Sequence, residues 1–325
     1  MTESFLRPFG PTNLQLSPLG LGCWQFSNGT GLVGKFWPVL QSDMINEIVR
    51  TSYEGGINWF DTAEIYGNGQ SEQLLARALR EALPADSNTY IATKWWPLMR
   101  TASNIGKTID ERIHLLEGRT IHLHQVHQPF SLSSVSSEMK EMAKLAAAGK
   151  IQHIGVSNFS AKQMREADRV LRAQGLRLAS NQVKYSLLDR RIEQNGILDT
   201  AKELGIAIIA YSPLEQGILS GKFHHNPELV KAISGPRKFS TPFRAEGLRR
   251  SRPLIDTLEL VASRHQATAT QTALNWLIHA HGETVFAIPG ASKIHHAEQN
   301  VKAMRFQLTA DEIEEISKVS LFACR

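Results

Sequence analysis

Short apolar runs alternate with amphipathic stretches along the whole chain. Leu19-Gly20-Leu21-Gly22-Cys23-Trp24 is the first strand candidate, and a helical pattern follows over Ser42 to Glu54. Ser42 stands in the N-cap position of that helix and Gly55-Gly56 supply its stop. The apolar run Gly56-Ile57-Asn58-Trp59-Phe60 leads into Asp61, and a helix is expected over Ser71 to Leu83. Tyr90-Ile91-Ala92-Thr93 leads into Lys94, a helix covers Ser103 to Leu116, Ile121 to Val126 leads into His127, and a helix covers Ser137 to Ala148.

The second half keeps the alternation. Gln152 to Ser157, Ala179 to Val183, Ile206 to Tyr211 and Thr284 to Ile288 read as strands. Ile206 to Tyr211 is almost wholly apolar, as expected of a strand covered on both faces. Ser160-Ala161-Lys162-Gln163 is a capping box opening a helix towards Ala173. Asn195 to Leu204 is a helix stopping at Gly205, and Thr309-Ala310-Asp311-Glu312 caps a last one. The segment from Glu215 to Arg252, with Lys222, Arg237, Lys238, Arg244, Arg249, Arg250 and Arg252, reads as a long basic loop beside the site.

Eight strands separated by helices, with no linker between them, predict one α/β domain over residues 1–325. The expected fold is a (β/α)₈ TIM barrel with its site at the C-terminal face of the strands. An open doubly wound sheet is the competitor, but Gly20-x-Gly22 lacks the third glycine of a dinucleotide fingerprint.

Composition adds limits. Hydrophobic residues make up 42% and charged residues 21%, which suits a full globular core. The net charge of +5 is spread along the chain without a Lys/Arg block, so no nucleic-acid partner is expected. The two cysteines, Cys23 and Cys324, argue against a disulfide framework and for a cytoplasmic setting. No apolar run approaches the roughly 20 residues that span a bilayer, and no membrane partner is expected.

The chemistry lies at the strand ends. Taken singly, Asp61 suits a turn cap, Lys94 a surface, Tyr66 packing and His127 a structural role. One ionisable residue at the end of each successive strand is how a barrel builds a catalytic site. A carboxylate beside a lysine keeps the ammonium charged, and the ammonium lowers the pKa of a neighbouring phenol. A histidine can orient a carbonyl oxygen. The missing electron source is most economically a bound nicotinamide. His122-x-His124 could instead be a metal-ligand pair of a barrel hydrolase, but strand alternation puts it on the face opposite His127, and no metal site is expected.

Gly56 to Gly67, containing Phe60-Asp61-Thr62-Ala63-Glu64-Ile65-Tyr66-Gly67, resembles the first signature of the aldo-keto reductase superfamily, in its bacterial and potassium-channel β-subunit-like branch. The resemblance runs over about residues 12 to 320. It implies a tetrad in which Tyr66 is the general acid, Lys94 tunes it, Asp61 supports Lys94, and His127 of His127-Gln128-Pro129 completes the set. Gly155-Val156-Ser157-Asn158-Phe159 resembles the segment whose Ser and Asn hold the nicotinamide carboxamide, and Gln182 of Asn181-Gln182 supports the same amide. Tyr211 in Ala210-Tyr211-Ser212-Pro213-Leu214 matches the aromatic stacked on the nicotinamide.

The same resemblance implies contacts from Cys23, Trp24, Ser212, Pro213 and Leu214. Gln216, Gly217, Leu219 and Lys222 belong to a loop that folds over the pyrophosphate, with Arg237 as an addition. Gly290, Ser292, His296, Gln299 and Asn300 form the adenosine-phosphate end. His296 stands where the family often has Arg or Gln, and Gln299-Asn300 where many members have Glu-Asn. Trp24, Trp95 and Phe130 are expected to wall the substrate pocket, with Trp96 also beside a strand end. The implied activity is reduction of aldehydes or ketones with NADPH, NADH being the alternative cofactor. A nucleotide-binding regulatory subunit with weak reductase activity is the second reading. The small-molecule carbonyl substrate and the oligomeric state are not specified by the sequence.

Overall fold

In a computed structural model of the protein, the described residues are 5–34, 38–233 and 241–324. An antiparallel hairpin, β1 (Arg7–Pro8) and β2 (Gln15–Leu16), precedes the barrel. The barrel strands are β3 (Leu21–Gly22), β4 (Trp59–Asp61), β5 (Tyr90–Trp95), β6 (Leu123–Val126), β7 (His153–Ser157), β8 (Leu178–Lys184), β9 (Ala207–Tyr211) and β10 (Val285–Ala287). Each pairs in parallel with the next from β3 to β10. Parallel bridges at Leu19–Ala287 and Gly22–Gly290 join the first strand to the last and close the eight-stranded barrel.

The helices are α1 (Gly31–Gly34), α2 (Ser42–Glu54), α3 (Gln70–Ala82), α4 (Ser103–Leu115), α5 (Val135–Ala147), α6 (Ala161–Arg172), α7 (Ile197–Leu204), α8 (Lys222–His225), α9 (Ala245–Arg264), α10 (Ala269–His279), α11 (Ile294–Lys302) and α12 (Ala310–Ala323). The largest apolar cluster lies between strands and helices and includes Leu75, Ile109, Met139, Val156, Leu171, Ile208 and Leu274, all wholly buried but for traces. A second cluster fills the barrel interior and joins Phe9 of the hairpin to Trp59, Leu123, Ile209 and Phe286. Phe9 meets Phe286 edge-on at 5.0 Å, so the hairpin plugs one end of the barrel. The hydrophobic pattern before Leu19 is too short to announce this element.

The boxes at Ser160–Gln163 and Thr309–Glu312 form as expected, and Gly205 ends α7 in the left-handed conformation at φ 66°. Ser42 is not the N-cap of α2. Gln41 takes that place with no side-chain hydrogen bond, and Ser42 is the first helical residue. The segment from Glu215 to Arg252 is not a loop throughout. It holds a 3₁₀ stretch (Glu215–Ser220), α8, a second 3₁₀ turn (Pro227–Val230) and the start of α9. Pro253 hides α9 from a pattern reading, because proline removes an internal helical hydrogen bond. Burial of Leu248, Leu254, Ile255 and Leu258 outweighs that loss, while Arg249 pairs with Glu246 and Arg252 with Asp256 on the outer face. The sequence also held an unread capping box, Thr268 with Gln271, at the start of α10. Among the described residues, no helix is long and apolar enough to cross a membrane.

Candidate active site

Asp61 closes β4, Lys94 is the penultimate residue of β5, and His127 follows the last residue of β6. Parallel pairing of these three strands brings the side chains together at one end of the barrel. Lys94 Nζ donates to Asp61 Oδ1 at 2.5 Å and to the Thr62 carbonyl at 2.8 Å, with both residues buried. The second carboxylate oxygen accepts from Gln182 Nε2 at 2.9 Å and Gln125 Nε2 at 3.3 Å. A buried ion pair survives only when its remaining lone pairs and protons are also satisfied, and these contacts do that.

Tyr66 is half-buried above this pair, with Lys94 Nζ 5.1 Å from its ring centre. Trp24 stacks against one side of the phenol ring at 6.0 Å, and His127 meets it edge-on at 5.7 Å. Enclosure holds the phenol pKa well above its ordinary range, with the Asp61 and Tyr211 groups adding to the rise. The net direction in the resting site is therefore upward, opposite to the lowering expected from Lys94. Asp61 neutralises the ammonium and adds its own repulsion. His127 moves the other way: burial and the Lys94 charge hold it well below the usual imidazole range, so the ring is neutral. Its Nδ1 has no hydrogen-bond partner among the described residues.

These groups open into a cavity of about 840 Å³. Its wall runs from Asp61, Tyr66 and His127 past Ser157, Asn158, Gln182 and Tyr211. It continues along Ser212, Pro213, Leu214, Gln216 and Gly217 to Lys222. It ends at Gly290, Ser292, His296, Gln299 and Asn300, with Cys23 and Trp24 near the start. Tyr211 Oη donates to Asn158 Oδ1, and Asn158 Nδ2 to Ser157 Oγ, each at 3.1 Å, which fixes three side chains of the wall. Positive φ values at Ser212, Glu215, Gln216 and Gly217 mark a strained turn, held where Glu215 meets Ser186 at 3.0 Å and Lys184 at 3.1 Å.

The far end is basic. Lys222, Lys293, His295 and His296 all line it, and Asp61 is the one carboxylate among the described lining residues. His296 Nδ1 lies 3.4 Å from both the backbone N and Oγ of Ser292. Burial, then His295, Lys222 and Lys293, push His296 down to about 4. Buried Asn300 Nδ2 and Gln25 Oε1 have no hydrogen-bond partner among the described residues, so this cavity holds polar groups that a ligand could satisfy. An apolar-walled cavity of this volume with clustered basic groups fits a dinucleotide carrying phosphates.

Among the described residues, four sequence candidates, Leu219, Trp95, Phe130 and Lys94, do not line the cavity. Leu219 is wholly buried in the main core. Trp95 is likewise buried, and its Nε1 donates to Asn104 Oδ1 at 2.9 Å on α4. Strand alternation explains this: Lys94 faces the barrel interior, so Trp95 must face the helices, and Trp96 takes the cavity wall. Phe130 is 44% exposed and touches the wall only through Trp96, at 5.6 Å. Arg237 lies outside the described residues. Lys94 sits behind the wall as the partner of Asp61. Lining residues outside the expected set include Gln25 in the 3₁₀ turn after β3, Thr268 and Thr270 at the start of α10, and Lys293 and His295 at the start of α11. His124 is buried beside Arg112 of α4, and His122 Nδ1 accepts from the backbone of Ile91 at 3.0 Å, so neither joins His127. No cluster of three or more His, Cys, Asp or Glu residues suited to a metal occurs among the described residues.

A family model described as the Aldo/keto reductase family matches residues 18–321. An uncharacterized oxidoreductase of Mycobacterium bovis is 36% identical over 91% of this chain and 87% of its own length. A thermostable aldo-keto reductase crystallised with the inhibitor epalrestat superposes with a TM-score of 0.77 at 26% identity, covering 97% of this chain and 99% of its own. The glycerol dehydrogenase of Gluconobacter oxydans superposes with a TM-score of 0.84 at 24% identity, over 100% of this chain and 98% of its own, and shares the fold.

Proposed function

From the premise that the chain belongs to the aldo-keto reductase family, an oxidoreductase family of NAD(P)H-dependent carbonyl reduction, we propose that it reduces aldehydes or ketones to alcohols with NADPH and uses Tyr66 as the general acid. The observation that carries this reading is one cavity lined by Asp61, Tyr66 and His127, with Lys94 paired to Asp61 behind them, and also by Lys222, Lys293, His295 and His296.

The bound nicotinamide would supply a hydride to the carbonyl carbon. The chain's own residues do the rest. Asn158, Ser157 and Gln182 offer hydrogen-bonding groups to the carboxamide, and Tyr211 offers a ring face. Neutral His127 can donate a hydrogen bond to the carbonyl oxygen and orient it. Tyr66 remains protonated while the site waits, because its pKa is raised. When the oxygen gains alkoxide character it becomes a far stronger base than a phenolate, and the proton passes from Tyr66 Oη to that oxygen. Lys94 then lies close enough to stabilise the phenolate, and Asp61 keeps the ammonium fixed. The basic far end favours a cofactor with an added phosphate, which is the ground for choosing NADPH over NADH.

Titration with each nucleotide by intrinsic fluorescence, followed by loss of nicotinamide absorbance on adding benzaldehyde, tests the reading. NADPH binding with turnover is expected. Binding without turnover on a panel of carbonyls would favour the regulatory role instead, and failure to bind either nucleotide would remove the proposal.

A further inference from the structure

One stretch of the cavity wall is held in a conformation that its own residues disfavour. Ser212, Pro213, Leu214, Gln216 and Gly217 line the cavity, and Glu215 is the one member of residues 212–217 that does not. Ser212, Glu215 and Gln216 have positive φ values of 52°, 46° and 56°. In that region the Cβ of an L-residue crowds its own backbone, so three such residues in one turn persist only where surrounding contacts over-determine them.

Glu215 supplies such contacts from behind the wall. Its buried carboxylate accepts from Ser186 Oγ at 3.0 Å and pairs with Lys184 Nζ at 3.1 Å. Lys184 is the last residue of β8, so one end of the anchor is a barrel strand. The other end, Ser186, opens a segment that is itself fixed. Tyr185 Oη donates to Glu193 Oε1 at 2.6 Å, and Arg190 holds both oxygens of Glu193, at 2.8 and 2.7 Å. Arg190 also donates to the Ser317 carbonyl at 2.7 Å, and Ser320 Oγ to the Leu187 carbonyl at 2.6 Å, which ties the segment to α12. Strain in the turn is thus opposed by a buried ion pair whose far side does not give.

We propose that Glu215 is a positioning residue for the nucleotide: seated on Lys184 and Ser186, it holds the 212–217 turn in the strained form that lines the cavity. The proposal rests on the reductase reading above and adds to it the device that keeps the cofactor wall in shape. Without the anchor the turn relaxes to unstrained forms, and apparent affinity falls by the fraction of molecules that leave the competent one.

The test is equilibrium binding of NADPH and of NADH, read by intrinsic fluorescence, for Glu215→Ala, Glu215→Gln and Glu215→Gly. Glu215→Ala should raise the Kd of both nucleotides by about tenfold or more, the value reached once nine turns in ten have relaxed. Glu215→Gln should recover part of the loss, because an amide oxygen still accepts from Ser186 and Lys184. Glu215→Gly should bind about fivefold more tightly than Glu215→Ala, because glycine takes a positive φ without the Cβ clash. The single-turnover rate with benzaldehyde at saturating NADPH should stay within about threefold of wild type, since the anchor acts on binding and not on the chemical step. Circular dichroism reports folding, and where Glu215→Ala does not fold, Glu215→Gln and Glu215→Gly against wild type carry the comparison. A wild-type Kd in the variants would overturn the proposal. Equal Kd values for the alanine and glycine variants would overturn it as well, and so would a lost single-turnover rate at unchanged Kd. Failure of the wild-type protein to bind either nucleotide is a different result and would remove the reductase reading beneath it.

Discussion

Gln182 donates its side-chain amide N–H to Asp61 Oδ2 at 2.9 Å, across 121 positions of sequence. A residue of the cavity wall is thereby locked to the buried ion pair beneath Tyr66. Only the NH₂ group of Gln182 can donate to a carboxylate, so its carbonyl oxygen is left as the group that can accept from a carboxamide N–H. The proposed proton-transfer apparatus and the proposed nicotinamide seat are one hydrogen-bonded unit.

Removing the hydroxyl of the proposed proton donor while keeping the ring isolates its role. Tyr66→Phe should lower carbonyl reduction by about 10²- to 10⁴-fold, with NADPH affinity within a few-fold of wild type. Single-turnover kinetics at saturating nucleotide check this, and near wild-type turnover would end the assignment of Tyr66.

Lys94→Met should cost both activity and stability. It strands a carboxylate that is buried with only two amide donors, and breaking a buried pair costs about 3–5 kcal/mol. Adding Asp61→Asn should recover most of that stability without recovering turnover. Urea denaturation and aldehyde turnover of the two variants separate folding from chemistry. Recovery of activity in the double variant would contradict the role proposed for Lys94.

The seam of the barrel gives a structural prediction. A Cβ on Gly22 would meet the Ile288 carbonyl oxygen at 2.7 Å, where the first strand closes on the last. Gly22→Ala should therefore destabilise by about 1–3 kcal/mol. Both residues also line the cavity, so nucleotide affinity should fall with it. Thermal unfolding with and without NADPH measures the two effects.

The basic end should make cofactor choice depend on pH. His296 is neutral above about 4, because burial and the neighbouring His295, Lys222 and Lys293 oppose its charge. An anionic phosphate seated beside it would favour the protonated ring, so binding raises that pKa and takes up a proton. NADPH affinity should thus strengthen as pH falls from about 8 towards 6, below which protonation of the phosphate itself, with its pKa near 6, works against it. NADH, lacking that phosphate, should show a flatter profile. His296→Ala should flatten the NADPH curve, and calorimetric titration over this range reads the difference.

Acid should unfold the protein through its buried histidines. His124 is pushed down to about 3, by burial and then by Arg112. Between about 6.5 and about 3 the unfolded chain binds a proton that the folded chain refuses, so stability falls as pH falls. The slope is at most about 1.4 kcal/mol per pH unit for this group. His124→Gln should make the Tm less sensitive to acid over that window, as read by calorimetry.

The sequence by itself determined the barrel, because strand–helix alternation and apolar periodicity are local properties that survive into the fold. It also determined three capping or stopping devices, at Ser160, Thr309 and Gly205, and the positions of Asp61, Tyr66, Lys94 and His127, since each stands beside a strand end. Tertiary structure alone decided what depends on direction and on distant partners. It buried Trp95 against α4, where its Nε1 donates to Asn104 Oδ1, and put Trp96 on the cavity wall. It raised the Tyr66 pKa where pair chemistry had suggested lowering, because burial and the Asp61 charge outweigh a neutralised ammonium. It folded α9 through Pro253, since the packing of Leu254, Ile255 and Leu258 exceeds the loss of one hydrogen bond. It also gathered Lys222 from the start of α8 and Lys293, His295 and His296 from the start of α11 into one cavity, which no local pattern along the chain encodes.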